Sequence, residues 1–353
     1  MLTLTLISAV LNVMYDEGLA QNFRRDSLLP NLLPVEFDSN GSCLWKVKLE
    51  DRDTAAAKDQ GYDVQSSDYS SDLRKQATLT WAHYEAYAAI TGTAQRIAAA
   101  NGGGGGDGEL NAELRDAVEE LTAKISAHTY SGSSSASPVE IEGLARAVDS
   151  TGTYAGLAQG TYSEWASGEQ TLATASLSIA NIRTKLLRPF KDNTGRYPDI
   201  VVCPGDVFDS IVALFDTKTT IMVETINTPD RGVVEIGKLG FRGIMIDGVP
   251  FVEDRHCTAS TLYALDLREL SYRQTPPIWS TMDPGQLQGA IKELTGQIVE
   301  ISEIAAAQKK AAKRLSVQVN ALAKTGDSTK LQVVIDLQLK LRKRKAAAKL
   351  TLT

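Results

Sequence analysis

Three groups of residues in this chain have types and spacings that could support chemistry: a glycine run, the histidines with the cysteines, and a basic cluster. The run Asn101-Gly-Gly-Gly-Gly-Gly-Asp-Gly108 contains Gly103-x-Gly105-x-x-Gly108. In dinucleotide-binding proteins that spacing brings backbone amides against a pyrophosphate, but it must follow a strand, open a helix and precede an acidic residue on a later strand. Here Ala94–Ala100 read as helical, and every intervening position of the motif but one is also Gly. A linker is the better reading. A nucleotide-binding enzyme using residues 102–108 is the remote alternative, and no Gly-Lys-Ser/Thr follows to make a P-loop.

The histidines are His83, His128 and His256, and only His256 has an adjacent thiol, Cys257. A structural zinc site takes about four ligands in paired spacings. Cys43, Cys203 and Cys257 do not supply them. Three widely spaced cysteines also argue against a disulfide framework and fit a reducing compartment. No nucleophile-elbow motif is present. The expectation is therefore no enzyme, no catalytic or metal-binding residues and no cofactor.

The third group is Arg342-Lys343-Arg344-Lys345. From Lys309 to Thr353 the sequence carries twelve Lys or Arg against two Asp, whereas residues 1–308 hold 25 basic and 41 acidic residues. A net charge of −6 argues against a nucleic-acid coat along the whole chain. The basic tail has three readings: contact with packaged DNA through phosphate neutralisation, docking on a neighbouring subunit, scaffold or decoration protein, or a solvated end. Docking comes first, because two amphipathic periods accompany the charge.

These groups sit on elements that the apolar pattern outlines. At 353 residues, 43% hydrophobic and 23% charged, the chain can form two or three compact units. The apolar start lacks the basic flank of a secretory signal, and no run approaches the roughly 20 apolar residues that span a bilayer. Synthesis in the cytoplasm without membrane contact is expected. Leu6, Val10, Val13, Met14 and Leu19 predict an amphipathic helix over 6–28, ended by Pro30 and Pro34. Trp45, Val47 and Leu49 share one face of a strand, and Ala77, Leu79 and Trp81 one face of another. Residues 50–76 between them, with Tyr62 and Tyr69, are almost free of aliphatic side chains. They read as the polar arm of a long hairpin that a neighbouring subunit catches, or as a surface loop.

Leu110, Leu114, Val118, Leu121 and Ile125 mark the clearest helix, 109–129. Leu172, Ile179, Ile182 and Leu186 predict a second over 171–187. Pro198–Cys203 reads as a buried strand leading into a helix capped by Asp206. Asp247-Gly248 marks a tight hairpin between Ile244–Ile246 and Val249–Val252, and Leu262–Asp266 and Glu269–Arg273 read as strands. Leu287, Ile291, Leu294, Ile298 and Ile301 repeat in a 4-3-4-3 stripe that Ala305, Gln308, Ala312, Leu315, Val319 and Leu322 continue. Leu331, Val333, Ile335, Leu337, Leu339 and Leu341 then alternate as in a half-buried strand.

The middle of the chain resembles tailed-bacteriophage major capsid proteins. The segments that carry the resemblance are Ile141-Glu-Gly-Leu-Ala-Arg-Ala-Val148, Thr153–Trp165, Tyr197–Pro204, Leu239-Gly-Phe-Arg-Gly-Ile, Asp247–Val252 and Leu262–Leu265. Their order, across about residues 5–276, is that of the Hong Kong 97-type capsid fold, an α+β architecture. The resemblance implies an N-terminal arm at 1–38, an E-loop hairpin at 39–82, and a P-domain at 83–187 with its spine helix at 109–129. An A-domain at 188–262 and a return to the P-domain at 263–284 would follow, with 285–353 as a helical, strand-bearing basic extension outside the resemblance. It implies self-assembly into hexamers and pentamers of an icosahedral head around double-stranded DNA, with portal and scaffold or decoration partners. The arm begins near Met1, so a separate scaffold, or none, is expected. An encapsulin-like cellular compartment is the alternative. Trp45, Tyr62, Tyr69 and Trp81, with Leu287, Ile291, Leu294 and Ile298, are the expected assembly contacts.

Overall fold

The computed structural model describes residues 28–49, 74–93, 106–215, 225–228, 232–235, 242–277, 283, 285, 288, 315–322 and 327–353. The predicted helix over 6–28 lies outside them except for its last residue. Leu28–Leu32 is helical (α1) and buried, with Pro30 inside it rather than ending it. Proline is tolerated in a first turn, where its missing N–H has no partner to lose.

The chain is organised around two sheets, and each needs a strand from its far C-terminal part. In the first sheet β1 (Val35–Phe37) runs parallel to β14 (Leu270–Gln274). The 14-residue strand β16 (Ser328–Leu341) lies at its centre. One edge of β16 pairs with β4 (Ala82–Thr91), from Ser328↔Thr91 to Leu337↔Ala82. Its other edge is shared by β15 (Gln318–Ala321) and β14. The alternation Leu331 to Leu341 is thus a strand as predicted, and all six residues are buried.

On β4, Ala82, Tyr84, Ala86, Ala88 and Ile90 point inward, while His83, Glu85 and Tyr87 point out. The small alanines leave room for α2 (Gly106–Ser131), the predicted long helix. Its 26 residues span about 39 Å, and Leu114, Val118, Leu121 and Ile125 form its buried face. It starts three residues earlier than expected, so Gly106 to Gly108 form its first turn, while 102–105 lie outside the described residues. Thr122, Ser126 and Thr129 are also buried, and each hydroxyl donates to the carbonyl four residues back. No unpaired hydroxyl is left against the apolar face.

The second sheet has the order β11 (Gly243–Ile246), β12 (Val249–Glu253), β8 (Ile200–Cys203), β13 (Thr261–Leu265), β17 (Ala347–Leu352), β7 (Gly168–Leu172). It draws on strands before 188 and after 262, wider than the span expected for one unit. The Asp247-Gly248 hairpin forms as predicted, with both residues at positive φ (53° and 80°), as a tight primed turn demands. A small antiparallel pair, β9 (Thr225–Thr228) with β10 (Gly232–Glu235), is separate.

Two helix expectations change. Residues 168–172 are a strand beside β17, so the helix begins only at Ile179, where Ser178 caps it by accepting the Asn181 amide at 3.2 Å. It continues through a π-helical turn, Arg183–Leu187, into Arg188–Thr194. The helix Gly205–Ala213 starts one residue before Asp206, with Pro204 at the cap position and no side-chain cap bond. Asp206 instead sits in the first turn, near the positive end of the helix dipole.

The predicted stripe also changes where it is described. Val319 lies in β15 opposite Val333, and Leu315, Val317 and Val319 are buried at strand spacing. A spacing of four residues is two strand periods as well as one helical turn. Leu287, Ile291, Leu294 and Ile298 lie outside the described residues.

After β13 the chain crosses between the sheets twice more, at neighbouring points. It leaves β13 for β14 through 266–269, and β16 for β17 through 342–346. The Asp266 amide donates to the Ala346 carbonyl at 3.1 Å, and the Arg342 amide to the Glu269 carbonyl at 2.8 Å.

Candidate assembly site at the hairpin base

The predicted hairpin exists at its base. β2 (Cys43–Lys48) pairs with β3 (Arg74–Leu79) from Cys43↔Leu79 to Lys48↔Arg74. Residues 50–73, with Tyr62 and Tyr69, lie outside the described residues. One hairpin face packs inward through Cys43, Trp45, Val47, Ala77 and Leu79. It rests on Tyr154, in the tight hairpin of β5 (Thr153–Tyr154) and β6 (Leu157–Ala158), with the Trp45 and Tyr154 ring centroids 6.1 Å apart. The Thr78 amide donates to the Ala155 carbonyl, which pins β3 to that turn.

Tyr154 is the centre of this base. Trp165 lies on it at 6.0 Å, and the Trp165 indole donates to the Tyr154 carbonyl at 3.2 Å. The Tyr154 hydroxyl accepts the Leu341 amide at 2.9 Å and donates to the Leu339 carbonyl at 3.4 Å. Complete burial drives its pKa well above the usual phenol value. Through Tyr154 the hairpin base is fastened to the last residues of β16.

Trp45, expected as an assembly contact, is therefore a core residue of its own subunit, 8% exposed. The apolar face of β2 seats on the aromatic turn rather than on a neighbour. Trp81 is half-buried, and its indole donates to the Asn40 carbonyl at 2.8 Å in the same chain.

The basic cluster is corrected more strongly. It is not a free tail but the second crossover. Arg344 is 1% exposed, and its guanidinium lies over the Tyr154 ring at 5.5 Å. Its Nε donates to the Ala147 carbonyl at 2.9 Å and its Nη2 to the Asp149 carbonyl at 2.7 Å. Burial pulls its pKa below the usual guanidinium value. Lys345 pairs with Glu164, and Lys343 with Glu269 at 3.0 Å. Beside them Lys340, nearly buried, reaches Glu36 at 3.5 Å, and burial lowers its pKa. Four consecutive cations read as solvated in a sequence; Arg342 and Lys343 do stay exposed, and only the pairing of β16 and β17 in different sheets turns Arg344 inward. No local signal carries that.

Between the outer face of the hairpin base and this crossover lies a cleft of about 490 Å³, lined by Lys46, Lys48 and Arg74 from the hairpin and by Arg342 to Lys345. The thiols take no part. Cys43, Cys203 and Cys257 are buried and unpaired with one another. Burial raises the Cys43 thiol to about 11. Cys257 donates to the Thr261 carbonyl, while its neighbour His256 accepts from Arg255. No cluster of three or more His, Cys, Asp or Glu suited to a metal occurs among the described residues, and no described helix is long and apolar enough to cross a membrane.

Compared with solved structures, the chain superposes on the capsid protein of the cyanophage A-1(L) asymmetric unit with a TM-score of 0.62, at 17% identity, covering 92% of each chain. The chain has a capsid-protein fold. Its α+β layout is the phage capsid fold expected from the sequence. The capsid of a native GTA particle matches with a TM-score of 0.53 at 10% identity, covering 94% of this chain and 90% of that one. The SrpI encapsulin of Synechococcus elongatus PCC 7942 matches with a TM-score of 0.51 at 10% identity, covering 91% and 85%. No family model and no curated protein matches the sequence. Of the segment after residue 284, which the sequence had set outside the resemblance, residues 318–321, 328–341 and 347–352 are strands of the two sheets. The strands β16 and β17 belong to the two sheets.

Proposed function

We propose that the chain is the major coat subunit of a tailed phage, building an icosahedral head around double-stranded DNA through self-assembly into hexamers and pentamers. The observation that carries this is the match to the cyanophage capsid protein along nearly the full length of both chains. A hairpin anchored firmly at its base, with 24 residues between its described ends, supports it, since a subunit completed by neighbours needs a projecting arm on a rigid root. In this reading 1–38 is the arm, 39–82 the E-loop, and α2 the spine of the P-domain. The role is structural, without catalysis. Assembly occurs in the host cytoplasm, and portal and scaffold or decoration proteins are the further partners. Tyr62 and Tyr69 of the hairpin arm and the stripe Leu287, Ile291, Leu294 and Ile298 are its proposed contacts.

An encapsulin-like compartment is the second reading, favoured by the lower-scoring likeness to SrpI. Negative-stain electron microscopy of the expressed chain, alone and with co-expressed neighbouring genes, tests both. Closed shells are expected, and shells that protect DNA from nuclease separate the phage reading from the compartment. A chain that stays monomeric under both conditions overturns the proposal.

A further inference from the structure

Among the described residues, the cleft at the hairpin base is lined mainly by cations. Seven of its twelve lining residues are Lys or Arg and one, Glu164, is acidic, in a chain whose net charge is −6. The cations come from three separate elements. Lys46 and Lys48 stand on β2, Arg74 stands opposite Lys48 on β3, and the rest belong to the second crossover. Part of the charge is engaged locally: Lys345 pairs with Glu164, Lys343 and Arg342 with Glu269 at 3.0 and 3.9 Å, and Lys48 also has an interaction of its own. Lys46 and Arg74, both exposed, have no acidic partner among the described residues. Arg344 also lines the cleft, and its buried Nη1 has no acceptor there. A buried guanidinium with an unused donor is costly, and an anion held in the cleft would offset that cost through its field.

We propose that this cleft is a phosphate-binding site, occupied by phosphodiester groups of a nucleic acid or by free inorganic phosphate. A single carboxylate side chain brings one charge and two oxygens. Inorganic phosphate offers more oxygens and up to two charges to cations converging from several directions, and a nucleic acid offers one charge and two free oxygens at each successive phosphodiester. A volume of about 490 Å³ has room for more than one such group. The proposal goes beyond the shell reading and does not depend on it, because binding is measured on the chain whatever its assembly state.

The test titrates the full-length chain at low salt with inorganic phosphate, a short fluorescent DNA oligonucleotide and a poly-glutamate peptide. Binding is followed by calorimetry for phosphate and by anisotropy for the labelled polymers. The variant is Lys46→Ala with Arg74→Ala, two exposed positions whose loss leaves the core intact. A control removes Lys185 and Arg188, exposed cations outside the cleft. The cleft variant should lose about tenfold or more in affinity, and for the oligonucleotide the salt slope should fall by about two. The control should change neither. Oligonucleotide binding with weak phosphate binding identifies a nucleic acid as the source, and the reverse identifies free phosphate. The proposal is overturned if neither phosphate ligand binds or if only poly-glutamate binds. It is equally overturned if the cleft variant, folded by circular dichroism, binds unchanged, or if the control weakens binding as much.

Discussion

The guanidinium of Arg344 lies over the ring of Tyr154, 5.5 Å from its centroid. Arg344 belongs to the turn between the two sheets, and Tyr154 to the seat of the hairpin base. The contact joins the segment that spans the two sheets to the base of the β2–β3 hairpin. A disturbance at either residue is therefore expected at the other.

Arg344→Met removes the donors to the Ala147 and Asp149 carbonyls while keeping most of the side-chain volume. The lost bonds to buried carbonyls should destabilise the subunit by about 2–4 kcal/mol. Arg344→Lys should recover little, since one ammonium cannot reproduce the planar fork that reaches two carbonyls. Denaturant unfolding of the unassembled subunit measures both.

Tyr154→Phe keeps the aromatic seat but leaves the Leu341 amide without its 2.9 Å acceptor. A loss of about 1–2 kcal/mol is expected, with the hairpin still in place. Hydrogen exchange should show faster exchange of the Leu341 amide and little change at Thr78. Equal loss of protection at Thr78 would contradict the separation of the two roles.

Glu169 and Lys349 face each other in register on β7 and β17, 2.8 Å apart. Burial alone would raise the Glu169 pKa, but Lys349 and the two Ser150 donors outweigh it and bring the value to about 2. A carboxylate depressed from 4.5 in the unfolded chain contributes stability above that pH, and the contribution fades as pH falls from 4.5 towards 2. Glu169→Gln should lower stability at pH 7 and flatten this part of the acid limb. Denaturation midpoints between pH 6 and pH 2 report the difference. Wild type and variant should converge at the acid end.

Deletion from Ala347 onward removes β17, which pairs with both β13 and β7. Insoluble chain without shells is the expected outcome, read by sedimentation and electron microscopy. Soluble, shell-forming protein would show that the second sheet closes without it.

Much of the first-level fold was legible in the sequence because its signals are local. The Leu331–Leu341 alternation, the helical face of α2, the paired faces of β2 and β3, and the Asp247-Gly248 turn each declare themselves within about a dozen residues. What was not legible depends on partners distant in sequence. Gly168–Leu172 has little apolar alternation and becomes a strand through the β17 backbone beside it. Trp45 has the size and amphipathic character of an interface anchor, but Tyr154, more than a hundred residues away, buries it. Arg344 carries no sign of its burial, because its acceptors are main-chain carbonyls, which every residue possesses.

The placement of β16 and β17 also sets a clock. At about 5–20 residues per second, roughly 15–60 s separate the synthesis of β1 from that of β16, and residues 328–352 follow every other strand of the two sheets. Until then the first sheet lacks its central strand and the second lacks the strand between β13 and β7. A chain still being synthesised thus has both sheets unfinished, and a prematurely terminated one never completes them. The order of the strands withholds both complete sheets until residues 328–352 have been made.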